Sequence, residues 1–220
     1  MMLSFDEWNV WYHNRESDKE MMREQPWTIA PPVAEEDYIL ADAIAVGSML
    51  LTMMRHAGRV KMACIAQLVN VLAPLMTETG GRMWKQPTWY PFAHASAYGR
   101  GELLFSQGSG PLIETPRYGE QPAVETIVTR DQAAGMVTVF AVNRSMDNAV
   151  PLRVDFKGNE TLRLHESIRL HDADPYATNT AGAPDRVIPA AIDGATLDGK
   201  TLASMLPPFS WSVYRLEVSA

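Results

Sequence analysis

The hydrophobic pattern of this chain changes character near residue 100, from a strand–helix–strand order to short alternating runs, and that change bounds what it can fold into. Upstream, residues 2–5 form a short apolar run without alternation, which suits a strand buried on both faces. Residues 14–32 are polar and then proline-punctuated, and they read as a long loop of a length uncommon outside functional sites. From residue 36 to about 55 the period becomes helical. Ile39, Ala43, Val46, Leu50 and Met54 make one stripe, with Glu35, Glu36 and Asp37 at its start and Arg55 and His56 at its end, as the helix dipole favours. Gly58 follows as a terminator. Residues 59–71 read as a second buried strand ending near Gln67. Strand, loop, helix and strand make a βαβ unit, whose strands run parallel with a right-handed crossover. A loop over 73–86 and a short helix over 90–98 complete this half.

Downstream, short alternating runs occupy 124–129, 136–143, 150–156, 162–170 and 210–218, separated by turn signals at 131–135, 157–159, 193–194 and 198–199. That rhythm predicts an antiparallel β-sandwich. The expected fold class is therefore α/β plus all-β: residues 1–100 are the C-terminal piece of a (β/α)8 TIM barrel, and 101–220 are a β-sandwich domain. A whole barrel takes roughly 250 residues, more than twice what the first half offers. A two-stranded parallel sheet leaves its edges unpaired and its apolar faces bare. The chain reads as a fragment, or as one that needs a partner.

Composition narrows the function classes. With 46% hydrophobic and 20% charged residues the chain is ordinary globular protein. A net charge of -7 argues against nucleic acid or an anionic membrane as partner, since both select basic surfaces. The N-terminus has no basic region followed by a long apolar one, so it does not read as a signal peptide. Residues 39–54 are interrupted by Asp42, Ser48 and Thr52 and are short for a membrane span. These features predict a soluble, cytoplasmic protein. The lone cysteine, Cys64, excludes an intrachain disulfide and, in an apolar run, reads as a small buried hydrophobe.

Chemistry concentrates in the first dozen residues. Asp6 and Glu7 are adjacent, and neighbours on a strand point to opposite sides, so they are not an acid/base pair. If residues 2–5 are a barrel strand, both acids lie at its C-terminal end, where barrel active sites are built. Trp8, Trp11 and Tyr12 crowd the same segment, with Trp27 beyond. Aromatic rings offer flat apolar area for the C–H faces of sugars, and equally they pack under loops. The histidines at 13, 56, 94, 165 and 171 show no H-x-x-x-H or H-x-H spacing, which argues against a metal site. His171, Asp172 and Asp174 read as a turn. Ser4 and Ser96 sit in no G-x-S-x-G elbow, and the glycines lack the strand-to-helix setting of a phosphate loop.

The segment "LSFDEWNVWYH" resembles the nucleophile region of the α-L-arabinofuranosidases of glycoside hydrolase family 51. The resemblance continues through "PWTIAPP", "ADAIAVGSMLLTMMRHAGRVKMACIAQLVNVLAPLMTE", "WKQPTWYPFAHASAYGRG" and "LPPFSWSVYRLEV". It implies a (β/α)8 barrel with a C-terminal sandwich, and a retaining hydrolase that removes terminal α-L-arabinofuranosyl groups from arabinose-containing glycans. It implies Glu7 as nucleophile at the end of the seventh strand, Gln67 at the end of the eighth as a hydrogen-bonding partner of the sugar, and Trp11 as an aromatic wall. Asn9 and Asn70 match in type and take supporting roles. No cofactor or metal is implied, and a homo-oligomer is. The family's acid/base lies in an Asn-Glu pair well before the nucleophile. The one such pair here, Asn159-Glu160, falls in the predicted sandwich and is rejected. The acid and the first six strands would have to come from a missing N-terminal portion, in the same or a separate chain. A carbohydrate-binding or assembly module is the alternative reading; its aromatics would be Tyr176, Phe209, Trp211 and Tyr214, which read instead as core.

Overall fold

The structure is a computed structural model that describes residues 1–12, 16–27, 29 and 34–219. Its elements are β1 (Leu3–Trp8), α1 (Glu16–Glu24), α2 (Leu40–Arg55), β2 (Val60–Ile65), β3 (Leu75–Thr77), β4 (Met83–Lys85) and α3 (Trp89–Tyr98), followed by a run of strands. These are β5 (Glu102–Leu104), β6 (Leu112–Thr115), β7 (Gly119–Pro122), β8 (Val124–Asp131), β9 (Met136–Asn143), β10 (Val150–Asp155), β11 (Thr161–Leu170), β12 (Ala190–Ala191), β13 (Thr196–Asp198), β14 (Thr201–Leu206) and β15 (Ser210–Ser219).

β1 and β2 pair in parallel, as the βαβ pattern requires. Two stretches read as loops carry structure. Residues 16–24 form α1, because Lys, Glu and Met favour helix and Pro26 stops it only afterwards. Residues 75–85 form the β3–β4 hairpin, whose turn contains Gly80 in the left-handed region. The second helix starts later than its acids predicted. Its first-turn acid is Asp42, which accepts the Ile39 N–H at 2.9 Å, while Glu36 turns inward and is 4% exposed.

The strands form a six-stranded sheet in the order β12-β11-β15-β9-β8-β5 and a three-stranded one, β10-β14-β13. One face of the larger sheet presents Val137, Val139, Ala141, Tyr214 and Leu216 to Leu152, Leu202 and Leu206 of the smaller. Its other face presents Ile127, Phe140, Val142, Trp211 and Val213 to Leu40, Ala43, Ile44 and Leu51 of α2. Burial on both faces explains why β9 reads as a near-continuous apolar run. The helix of the upstream half thus covers the sheet of the downstream half. Trp211 is the joint. It is fully buried, its ring lies against Phe140, and its indole N–H donates to His94 Nδ1 at 3.1 Å on α3. His94 stacks on Tyr98, whose ring carries the Arg215 guanidinium. Burial pushes the His94 imidazole from its ordinary 6.5 down to about 4, with Glu166 opposing more weakly.

The β1–β2 sheet is left open. Leu3, Phe5 and Met62 are exposed, and so is Cys64, against the expectation that it would be buried. The reason is local: an apolar run becomes core only where a second layer lies over it, and among the described residues that face of β2 has none. No helix among the described residues is long and apolar enough to cross a membrane.

Candidate functional site

The C-terminal ends of β1 and β2 lie side by side, with Trp8 opposite Ile65 and the Trp8 carbonyl accepting the Ala66 N–H at 2.8 Å. Between Phe5 and Trp8 the register slips. Three residue steps of β1 span two of β2, which places Asp6 and Glu7 in a bulge. Bulges re-aim side chains at the ends of strands. Asp6 is engaged by the Ser4 hydroxyl. Glu7 is exposed and, among the described residues, has no hydrogen-bond or ion-pair partner, so its carboxylate is open to an incoming group.

The structure sorts the aromatics. Trp8 is core, packed with Val46, Leu50 and Ala95 and tilted against Phe92. Trp11 is partly exposed beyond the strand end, and Trp27 is almost fully exposed. Tyr12 bonds to Asp42 through its hydroxyl. His13, and within the "PWTIAPP" segment residues 28 and 30–32, lie outside the described residues.

Gln67 is exposed just past β2, with φ of 52°. Asn70 and Leu72 follow with φ of 65° and 49°. Three non-glycine residues in the left-handed region within six positions is a concentration of backbone strain, which surrounding structure must hold in place and which gathers at functional loops. The holding groups are visible. Asn9 Nδ2 donates to the Leu72 carbonyl at 2.7 Å. Asn70 Oδ1 accepts the Thr77 N–H at 2.8 Å, pinning the loop to β3. The Leu72 N–H donates to the Ala34 carbonyl at 2.8 Å.

Two groups escaped the sequence reading. Glu36, read as a helix-start acid, accepts the Tyr12 N–H at 3.3 Å beneath the β1 loop. Gln86, within a predicted loop, is 1% exposed and makes three side-chain hydrogen bonds. A lone glutamine before a proline carries no periodic signal that would have flagged it.

Elsewhere the other candidates resolve into structure. Glu160 lies in a turn after β10 and pairs with Arg130 at 2.9 Å. A backbone hydrogen bond, and then Arg130, hold its carboxyl below the usual range, the opposite of what a general acid requires. Asp172 and Asp174 cap their own turn, and Asp174 pairs with Arg186. Trp211 and Tyr214 are fully buried, whereas Tyr176, expected in the core, is exposed on that same turn.

The family model described as the α-L-arabinofuranosidase C-terminal domain matches residues 6–210. An intracellular exo-α-(1→5)-L-arabinofuranosidase from Streptomyces lividans is 46% identical over 97% of this chain. One of the same description from Bacillus subtilis is 42% identical over 98%. The chain spans 32% and 42% of the length of those two proteins, respectively. Among solved structures, a family 51 α-L-arabinofuranosidase from Bifidobacterium longum superposes with a TM-score of 0.89 at 38% identity, covering 99% of this chain and 43% of that one. A further family 51 arabinofuranosidase, from Xanthomonas axonopodis pv. citri, gives 0.83 at 28% identity, covering 98% of this chain and 41% of that one.

Proposed function

This chain belongs to the family 51 α-L-arabinofuranosidases, and from that premise we propose that it supplies the nucleophile half of a retaining α-L-arabinofuranosidase. Glu7 is the nucleophile, Gln67 holds the sugar by hydrogen bonding, and Trp11 walls the site. The observation that carries this reading is the bulge that leaves Glu7 open beside the Gln67 loop, at the shared ends of two parallel strands. In this reading residues 1–100 are the last strands of a (β/α)8 barrel and 101–220 its β-sandwich. The preceding portion, in the same or a separate chain, brings the remaining strands and the acid/base carboxyl. The related proteins described as intracellular accord with action on arabinofuranosyl oligosaccharides in the cytoplasm.

The chemistry follows from the residue types. Two carboxyl groups about 5–5.5 Å apart give a double displacement. The Glu7 carboxylate attacks the anomeric carbon while the glycosidic C–O bond breaks, and the leaving oxygen takes a proton from the acid. Water then attacks the same carbon, giving its proton back to that residue, and arabinose departs with Glu7 restored. Without the acid, leaving-group protonation is lost, a step worth roughly 10²–10⁴-fold.

The test is hydrolysis of an aryl α-L-arabinofuranoside by the chain alone, by the chain joined to its missing N-terminal portion, and by the joined Glu7→Gln variant. Turnover is expected only on joining, with a fall of at least about 10³-fold in the variant, because residues acting as one catalytic unit are not replaceable singly. Undiminished turnover in Glu7→Gln would overturn the assignment.

A further inference from the structure

Glu7 lies in the bulge of β1, one residue before the last paired position, Trp8, and Gln67 follows β2, so the loop after Trp8 and the loop that carries Gln67 both run on beyond the pairing of the two strands. Asn9 Nδ2 ties the two loops directly at the Leu72 carbonyl. A second route runs through one buried side chain. Gln86 Nε2 donates to the Glu36 carbonyl and to the Ala73 carbonyl, each at 2.8 Å, and its Oε1 accepts the Tyr38 N–H at 2.7 Å. Its backbone N–H donates to the Pro74 carbonyl at 2.8 Å. From Glu36 the connection passes to the Tyr12 N–H, and from Tyr38 the hydroxyl donates to the Val10 carbonyl at 2.8 Å. Both ends lie in the loop that follows Glu7. On the other side, Ala73 closes the strained stretch that begins at Gln67.

The chemistry of the position admits few substitutes. Two carbonyls and one N–H converge on it, and only a primary amide offers two donors and an acceptor from one planar group. A carboxylate would face two carbonyls without a donor. An apolar side chain would leave three buried backbone groups unmade, each costly in a site closed to water.

We propose that Gln86 is a positioning residue: it fixes the loop that follows Glu7 and carries Trp11 against the loop carrying Gln67, and so sets the spacing of nucleophile and sugar-binding group. The inference rests on the functional reading above for its consequence, and on geometry alone for its coupling. The variant is Gln86→Met, which keeps volume and removes all three hydrogen bonds; Gln86→Glu restores the shape and one acceptor. Amide hydrogen exchange of the 220-residue chain reads the coupling. The Tyr12 and Leu72 amides, neither of which touches Gln86, are expected to exchange about 10–100-fold faster in Gln86→Met, while amides of β9 and β15 keep their rates. A uniform rise across all strands, or no change at Tyr12 and Leu72, overturns the proposal. In the chain joined to its N-terminal portion, kcat is expected to fall about 100-fold, as for a misplacement of about 1 Å, with KM changed far less. If the joined wild type turns over and Gln86→Met matches it, the positioning inference fails and the functional reading stands. If the joined wild type is inactive, the functional reading fails, and the exchange pattern decides Gln86 by itself.

Discussion

Acidification from pH 7 to pH 5 tests the joint between α3 and the large sheet. His94 Nδ1 accepts the Trp211 indole N–H at 3.1 Å, so that nitrogen must be unprotonated in the folded chain. Burial holds the imidazole near 4, against 6.5 in the unfolded chain. The groups facing it are the Tyr98 ring and, beyond that, Arg215 and Glu166, which pair with each other at 3.1 Å. A base whose folded pKa is depressed adds no penalty above its unfolded value. As pH falls below 6.5 the unfolded chain takes up a proton that the folded chain refuses, and stability drops until about pH 4. The gap, at roughly 1.4 kcal/mol per pH unit, is worth about 3 kcal/mol in full, of which about 2 kcal/mol falls between pH 7 and pH 5. For a chain of this size that is a Tm lowered by about 4–8 °C. Asp155, Glu160 and Glu217 also have depressed pKa values, set first by the Thr201 hydroxyl, a backbone hydrogen bond and Arg163, respectively. Their stabilisation is present above the ordinary carboxylate range and is lost only as pH falls through and below it, so the window above pH 5 avoids these carboxylates, and comparison with a His94 variant separates His94 from the other four histidines. Thermal unfolding followed by circular dichroism in that window, for the chain and for His94→Asn, is the assay. The amide oxygen introduced by His94→Asn would accept near the position of Nδ1 and would not titrate. The reasoning is refuted if the variant keeps the full pH 7 to 5 decline, or if proton NMR places the His94 midpoint above pH 6.

Gly101→Ala should be the more damaging of two glycine changes. A methyl there would stand 2.0 Å from the Arg130 carbonyl oxygen at a φ of +81°, and strain plus overpacking predict a loss of about 3 kcal/mol, read as a Tm drop of roughly 6–12 °C. Gly47→Ala places its methyl 2.7 Å from Trp211 Cε3. Overpacking against a ring that His94 holds outweighs the gain in helix propensity, for a net loss of about 1–2 kcal/mol in urea unfolding. Cys64 should react with a disulfide reagent in the folded chain as fast as a free thiol, and slowly once the N-terminal portion is joined. Equal rates in both would contradict the reading that this sheet is covered in the complete enzyme.

By itself the sequence determined the elements whose burial has a period. The helix through Ala43, Val46 and Leu50, the strands at 124–131, 136–143, 150–155, 161–170 and 210–219, and the parallel pairing of the first two strands were all legible, because a repeated apolar spacing has one economical fold. Glu7 and Gln67 were legible as strand-end residues of a recognisable family segment. What only the tertiary structure decided lacks such a period. Whether β9 faces one layer or two depends on α2 arriving from the other half of the chain. Cys64 reads as core in its run and is exposed because no layer among the described residues covers it. The bulge at Asp6 and Glu7 is a mismatch between two strands, invisible in either one. Gln86 and Glu36 matter through partners 13 to 50 positions away in the chain, and hydrogen bonds across such separations are set by packing and leave no pattern along the sequence.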